Sequence, residues 1–362
     1  IPLSSYAKAK SFNPIEVVVD SGVVDGRHIS LTLCAAAPNA PDTLRHNFVL
    51  EVTNGVKLHG VLVGNHTLYP NVQYIVTGNL AMQSGDTLFI KPGTTLKIED
   101  DYNINATIIA IGKPDSMITF TKTDLGYGWG ELTSYGGVFD YCRIEYWKHL
   151  DGGGIQTDRQ LEVRNSIIKS PNSLMGSYND VYAIQSTFTS IIFDGIFCSG
   201  GSALFNYCNI VGNNVGNGFI NGLRGANLHT LYSLDIRTFL GNNIFGNDRY
   251  NIHADGTSTV EVVTLDTNYY GTLNENIIRQ HIYDITSPTN SYYDPTSVFY
   301  DLSKRASRPS ALAHGIVWKV EVNGYDAQDE FDSIIPLGVG THEFKVYFNR
   351  AMDTSVTPML AM

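Results

Sequence analysis

Cys142-Arg143-Ile144 begins a three-residue pattern of a small or polar residue, any residue, then an apolar one. It returns as Asn165-Ser166-Ile167, Ser186-Thr187-Phe188, Cys208-Asn209-Ile210 and Asn242-Asn243-Ile244. The first members stand 23, 21, 22 and 34 positions apart. A near-constant step of this length suits one coil of a parallel β-solenoid, in which each unit buries its apolar face only by stacking on its neighbours. The longer last step fits a loop insertion, for which residues 212–226 (GNNVGNGFINGLRGA) are the Gly/Asn-rich candidate. In this register Ile144, Ile167, Phe188, Ile210 and Ile244 stack inward as an apolar ladder. Cys142, Asn165, Ser186, Cys208 and Asn242 form a small or amide ladder beside them, where stacked side chains can satisfy buried polar groups along the axis. Cys142 and Cys208, three coils apart at about 4.8 Å per coil, are too distant for a disulfide and read as core thiols.

The flanking sequence agrees with this reading. Tyr74–Leu80, Gly85–Ile90 and Pro92–Ile98 are short apolar runs bounded by turn residues, with no room for a crossover helix. Upstream, Ile15–Asp20, His28–Leu33, Asn47–Val52 and Val56–Val63 read as strands separated by turn signals such as Asp25-Gly26 and Asn54-Gly55. The expected fold is all-β: a right-handed parallel β-helix over residues 67–300, an N-terminal β-rich cap over 1–66, and a linker with a partial C-terminal β-sandwich over 301–362. A cap is physically required, because the open end of a solenoid templates aggregation.

The chain is 43% hydrophobic and only 16% charged; Asn, Ser, Thr, Gly and Tyr supply the polar surface, which suits stacked strands and tight turns. The net charge of -11 argues against nucleic-acid or anionic-membrane partners, which need clustered Lys and Arg. No run of about 20 apolar residues spans a membrane. The chain opens at Ile1 without a signal peptide and stops at Met362 within a strand-like pattern, so it reads as an excerpt of a longer, processed protein.

Two stretches carry a family resemblance. Gly112-Lys113-Pro114-Asp115-Ser116-Met117-Ile118-Thr119-Phe120-Thr121, followed by Gly128-Trp129-Gly130, resembles the early coils of bacterial secreted right-handed β-helix proteins of the pectate-lyase-like superfold. Asn268-Tyr269-Tyr270-Gly271-Thr272, followed by Ile277, Ile278, Ile282, Tyr283 and Asp284, resembles the segment that closes many of these helices, with Tyr270 in place of the usual Trp. The run from Phe344 to Asp353 is similar to a strand and turn of bacterial Ig-like surface domains. The resemblance implies the fold and a secreted or cell-surface setting. It does not imply one activity, since this superfold hosts lyases, hydrolases, esterases, adhesins and structural proteins.

The search for chemistry yields three groups of candidates. Asp140, Arg143, Glu145, His149 and Asp151 form the densest titratable cluster and the candidate catalytic site; a salt-bridged, solvated rung is the competing reading. Glu99, Asp100 and Asp101 could bind Ca2+ through oxygen ligands, the one cofactor considered, although a solvated loop explains them as well. The adjacent pairs Tyr146-Trp147, Tyr269-Tyr270 and Tyr292-Tyr293 each place one ring outward on a strand, where flat rings can stack on sugars or simply pack coils. His59-Gly60 and His314-Gly315 match part of a pectinolytic pattern but lie outside residues 67–300 and lack the accompanying Asp pair. The sequence therefore points to an extracellular or cell-surface structural or adhesive module. Its expected partners are a polysaccharide, neighbouring surface proteins or copies of itself. The alternative is a polysaccharide lyase or glycoside hydrolase.

Overall fold

The computed structural model describes residues 23, 27–35, 44–52, 55–99, 101–123, 128–145, 155–157, 160–169, 175–177, 181–189, 196–199, 203–212, 224–230, 236–247, 250–256, 262–283, 301–326, 338–353 and 355. The chain divides into two compact units, Ile1–Val56 and Lys57–Met362. In the first, Arg27–Ala35 pairs antiparallel with Leu44–Val52, Leu31 opposite Phe48. The expected strand at Ile15–Asp20 lies outside the described residues.

The second unit is a parallel β-solenoid whose strands pair coil on coil. One inward column runs Tyr74, Leu96, Phe120, Ile144, Ile168, Phe188, Ile210 and Ile244, each facing the next through parallel pairing. A second runs Leu68, Ile90, Ala110, Phe139, Val163, Ala183, Phe205 and Phe239. All of these side chains are buried. The rings interlock between and along the columns: Phe205 stacks on Phe239 at 5.0 Å, and Phe188 meets Phe205 edge-on at 5.8 Å. The solenoid starts before residue 67, since His66–Leu68 already pairs with Leu88–Ile90.

The polar ladder is present, with one correction. Ile144 pairs with Ile168, not Ile167, and the small polar position of that coil is Ser166, not Asn165. Asn165 instead turns the corner at φ 46°, as do Tyr141 (50°), Gln185 (48°), Tyr207 (55°) and Thr267 (61°) in their own coils. Asn takes the left-handed conformation more readily than most residues, so the corner claims it. The side chain after each corner then reaches the coil before it. Cys142 N–H donates to Ser166 Oγ at 2.9 Å, Ser166 N–H to Ser186 Oγ at 3.2 Å, Cys208 N–H to Asn242 Oδ1 at 2.7 Å, and Asn242 N–H to Asn268 Oδ1 at 2.8 Å. Asn242 and Asn268 also donate through Nδ2 to the carbonyls of Phe205 and Phe239, each at 2.8 Å.

The two cysteines of this ladder are buried free thiols. Burial pushes the Cys208 thiol up to about 12 and raises Cys142 as well. Trp129 is fully buried and donates from Nε1 to the Glu145 carbonyl at 2.8 Å. Gly130 packs closely beside it, where an added Cβ would press on Asn103 Oδ1 and lie 3.0 Å from the carbonyl oxygens of Asp101 and Tyr102.

Residues 301–316, which open the stretch expected to be a linker and partial sandwich, form a strap along the solenoid. Ala306 N–H donates to the Asn268 carbonyl, Ser310 N–H to Asn243 Oδ1, and Asn209 Nδ2 to the His314 carbonyl. The strap covers an outward column of Thr187, Asn209 and Asn243, which is thereby buried. A directed chain of hydrogen bonds runs through this column. Asn243 Nδ2 donates to Asn209 Oδ1 at 2.7 Å, and Asn209 Nδ2 donates to Thr187 Oγ1 at 3.0 Å. Thr187 Oγ1 in turn hydrogen-bonds with His314 Nδ1, 3.0 Å away. His314 therefore sits on the solenoid face and not apart from it. After the strap, Val317–Val322 pairs antiparallel with Tyr325–Asp326 on one side and Phe344–Phe348 on the other, a small sheet.

Two stability predictions result. Asn242→Ala strips the acceptor from a buried N–H and should destabilise the fold by about 2–4 kcal/mol, read from urea unfolding. Burial, and then the Arg350 charge, hold His314 below its ordinary value of 6.5. Its contribution to stability is therefore complete above that value and is lost as pH falls below it toward the folded-state pKa. Unfolding midpoints should drop on acidification, and His314→Asn should flatten that part of the profile.

Candidate functional site

Where the strap ends, its continuation leans over the last coils and encloses a cleft of about 660 Å3. One side is the solenoid, with Phe245, Tyr269 and Thr272; the other is Ile316–Lys319. The aromatic residues form a continuous cluster. Tyr269 lies edge-on between Phe245 (5.6 Å) and Trp318 (5.8 Å), and Trp318 lies 5.9 Å from Tyr347. Phe245 and Trp318 are half-buried, while Tyr269 is only 4% exposed.

The placement of this pair follows from strand alternation. Tyr269 bridges to Asn243, so it shares that residue's outward direction, and Tyr270 turns in to close the Ile244 column. Tyr270 Oη donates to the Leu265 carbonyl at 3.1 Å. Tyr269 Oη donates to the Gly271 carbonyl at 2.9 Å, which holds the ring upright in the cleft. Gly271 has φ 82°, and a Cβ there would sit 2.9 Å from Phe245 Cβ. The closing segment is completed by the short helix Glu275–Gln280, whose Ile278 is buried.

The polar lining consists mainly of amides and hydroxyls. Asn247 and Asn251 are buried, and Asn247 Nδ2 donates both to Asn251 Oδ1 at 3.0 Å and to the Ile210 carbonyl at 2.9 Å. Lys319 is held by Glu321 at 2.7 Å and lies over the Tyr347 ring. Hydrogen bonds from Lys319 and then from Tyr347 Oη keep the Glu321 carboxyl below the usual range, and the same contact raises Tyr347. Among the described residues the cleft lining contains no Asp or Glu.

The other candidates fare differently. Arg143 and Glu145 do meet, at 3.6 Å, on the partly exposed strand Cys142–Glu145. Asp140 lies across the Tyr141 corner from them, accepting from Asn165 Nδ2 at 2.9 Å. His149, Asp151, Tyr146, Trp147, Tyr292 and Tyr293 lie outside the described residues, as does Asp100. Asp101 has φ 63° and donates its N–H to the Gly128 carbonyl at 3.3 Å. Among the described residues no three His, Cys, Asp or Glu side chains converge to hold a metal ion, and no helix is long and apolar enough to cross a membrane.

Sequence reading reached Tyr269 and Tyr270 but missed Phe245, Trp318, Asn247 and Asn251. Trp318 stands beyond the strap, and no local pattern links it to residue 269. No protein-family model, curated protein or solved structure matches the chain.

Gly271→Ala should cost about 1–3 kcal/mol, since it combines a left-handed backbone with contact against Phe245. Thermal unfolding followed by near-ultraviolet circular dichroism would report both the loss of stability and any disturbance of the Phe245–Tyr269–Trp318 cluster.

Proposed function

We propose that this chain is a structural and adhesive β-helix module that acts outside the cell or at its surface, and that the cleft between its last coils and residues 316–319 binds polysaccharide. The observation that carries this reading is the aromatic pair Phe245 and Trp318, half-buried on opposite walls of a cleft whose polar groups are mostly amides and hydroxyls. Rings of this kind contact the apolar faces of sugars, and amides suit their hydroxyls. A rigid coil-on-coil scaffold holds such walls at fixed spacing. Glycoside hydrolysis uses two carboxyl groups flanking the scissile bond. The described lining offers none, which favours binding over cleavage. The acidic net charge and resemblance-based surface setting are compatible with this role.

The test is titration of the chain with a panel of neutral and acidic polysaccharides, read by tryptophan fluorescence and calorimetry, with and without a calcium chelator. Trp318→Ala and Phe245→Ala should each weaken binding at least about tenfold, the effect of losing a buried aromatic contact worth about 1.4 kcal/mol. Binding without release of new sugar ends is the expected result. Cleavage abolished by Glu145→Gln would establish the lyase or hydrolase alternative, and binding unchanged in both aromatic variants would remove the cleft from consideration.

A further inference from the structure

Asn349 follows the strand Phe344–Phe348 and is buried. Its Nδ2 donates to the carbonyls of Ser310 and His314, each at 2.9 Å, and its Oδ1 accepts from the Ile316 N–H at 2.8 Å. Its own N–H donates to the Ile316 carbonyl at 3.3 Å. The solenoid grips the same two strap residues. Ser310 N–H donates to Asn243 Oδ1 at 2.8 Å, and the His314 carbonyl accepts from Asn209 Nδ2 at 3.2 Å. Ser310 and His314 thus each join an asparagine of the coils to Asn349. A primary amide suits this place, since it carries two hydrogens for the two carbonyls and an oxygen for the N–H.

The wall of the cleft begins at this clasp. Val317 pairs with Phe348 and Lys319 with Tyr347, which leaves Trp318 as an extra residue between them. A bulge of this kind breaks the ladder locally and re-aims a side chain. Here the bulged ring meets Tyr269 at 5.8 Å. The reciprocal bonding of Ile316 and Asn349 closes the chain on the near side of the bulge and so sets where it falls. Asn349 is not among the residues that line the cleft. We infer that Asn349 is a positioning residue for the cleft, fixing the bulged wall so that Trp318 is aimed at Tyr269. This rests on the proposed binding role only for its sugar readout.

The other end of the strap is held separately. Leu302 is buried there, Lys304 pairs with Asp266 and Arg305 with Glu275, each at 3.0 Å. The coils keep their own ladder through Asn242 and Asn268. Loss of the clasp is therefore expected to loosen residues 310–319 as a local unit, with the solenoid intact. Arg350, next in the chain, adds a longer bond from Nη1 to the Ala313 carbonyl at 3.3 Å.

The test uses the full chain with Asn349→Asp, which sets a carboxylate against two carbonyls, and Asn349→Ala. Acrylamide quenching is compared between each chain and its Trp318→Phe counterpart, which isolates the emission of that ring. Quenching of Trp318 should rise at least about twofold in both variants, and the Ile316 amide should exchange at least about tenfold faster, while the Cys208 and Asn242 amides keep their wild-type rates. Arg350→Ala, which leaves the clasp in place, should not change the quenching. Dextran and polygalacturonate serve as the neutral and acidic sugar probes, and whichever binds the wild type should bind both Asn349 variants at least about tenfold more weakly. If neither binds the wild type, the proposed function falls, and quenching and exchange still decide the role of Asn349. Wild-type quenching and exchange in both Asn349 variants, unfolding of the whole chain by both, or equal exposure of Trp318 in Arg350→Ala would each overturn the inference.

Discussion

Backbone N–H groups buried at the inner corners of the coils need acceptors, and a single side chain from the next coil supplies each one. A left-handed residue turns the chain, and the residue after it points inward just where the coil before it presents a buried amide. Ser166, Ser186, Asn242 and Asn268 are small or branched enough to sit in the core and polar enough to accept from that amide. An unmet donor there costs as much as the net gain from several ordinary hydrogen bonds. The apolar columns supply most of the burial, but it is this ladder that sets where one coil lies over the next. Asn242 and Asn268 do more than serine can, because their Nδ2 groups also satisfy carbonyls of the facing column.

A second polar column, Thr187, Asn209 and Asn243, lies on the outside of the same strands. It is buried because the strap over residues 301–316 lies on it and shares its hydrogen bonds. His314 belongs to this arrangement: desolvation disfavours its charged form, and its Nδ1 lies at the end of the hydrogen-bonded column. The strap also determines the cleft. It delivers Ile316–Lys319 against the last coils, so Trp318 meets Tyr269 only because residues 306–314 are seated on the coils before it.

The candidate site was partly legible. Tyr269-Tyr270 stood out as an adjacent aromatic pair, and strand alternation correctly divides them between core and surface. Alternation says nothing about what covers the outward ring. Trp318 does so, from nearly fifty positions away, and turns an expected exposed platform into the buried centre of an aromatic cluster. The charged cluster around residue 143 shows the opposite case. Arg143 and Glu145 are neighbours because residues two apart on a strand share a face. Asp140, close in sequence, is turned aside by the corner at Tyr141 and held by Asn165.

Sequence alone determined the solenoid, because spacing near 22 residues and a small-polar-then-apolar pattern are local properties that each coil must satisfy for itself. It also determined that Cys142 and Cys208 are separate core thiols. It did not settle the register at one coil: Asn165-Ser166-Ile167 and Ser166-Ile167-Ile168 both fit the pattern, and only the left-handed backbone at Asn165 selects the second. The docked strap, the buried outer column and the cleft were decided by tertiary structure. Each depends on contacts between segments remote in the chain, whose residues carry no periodic signal and gain their roles only when one surface covers another.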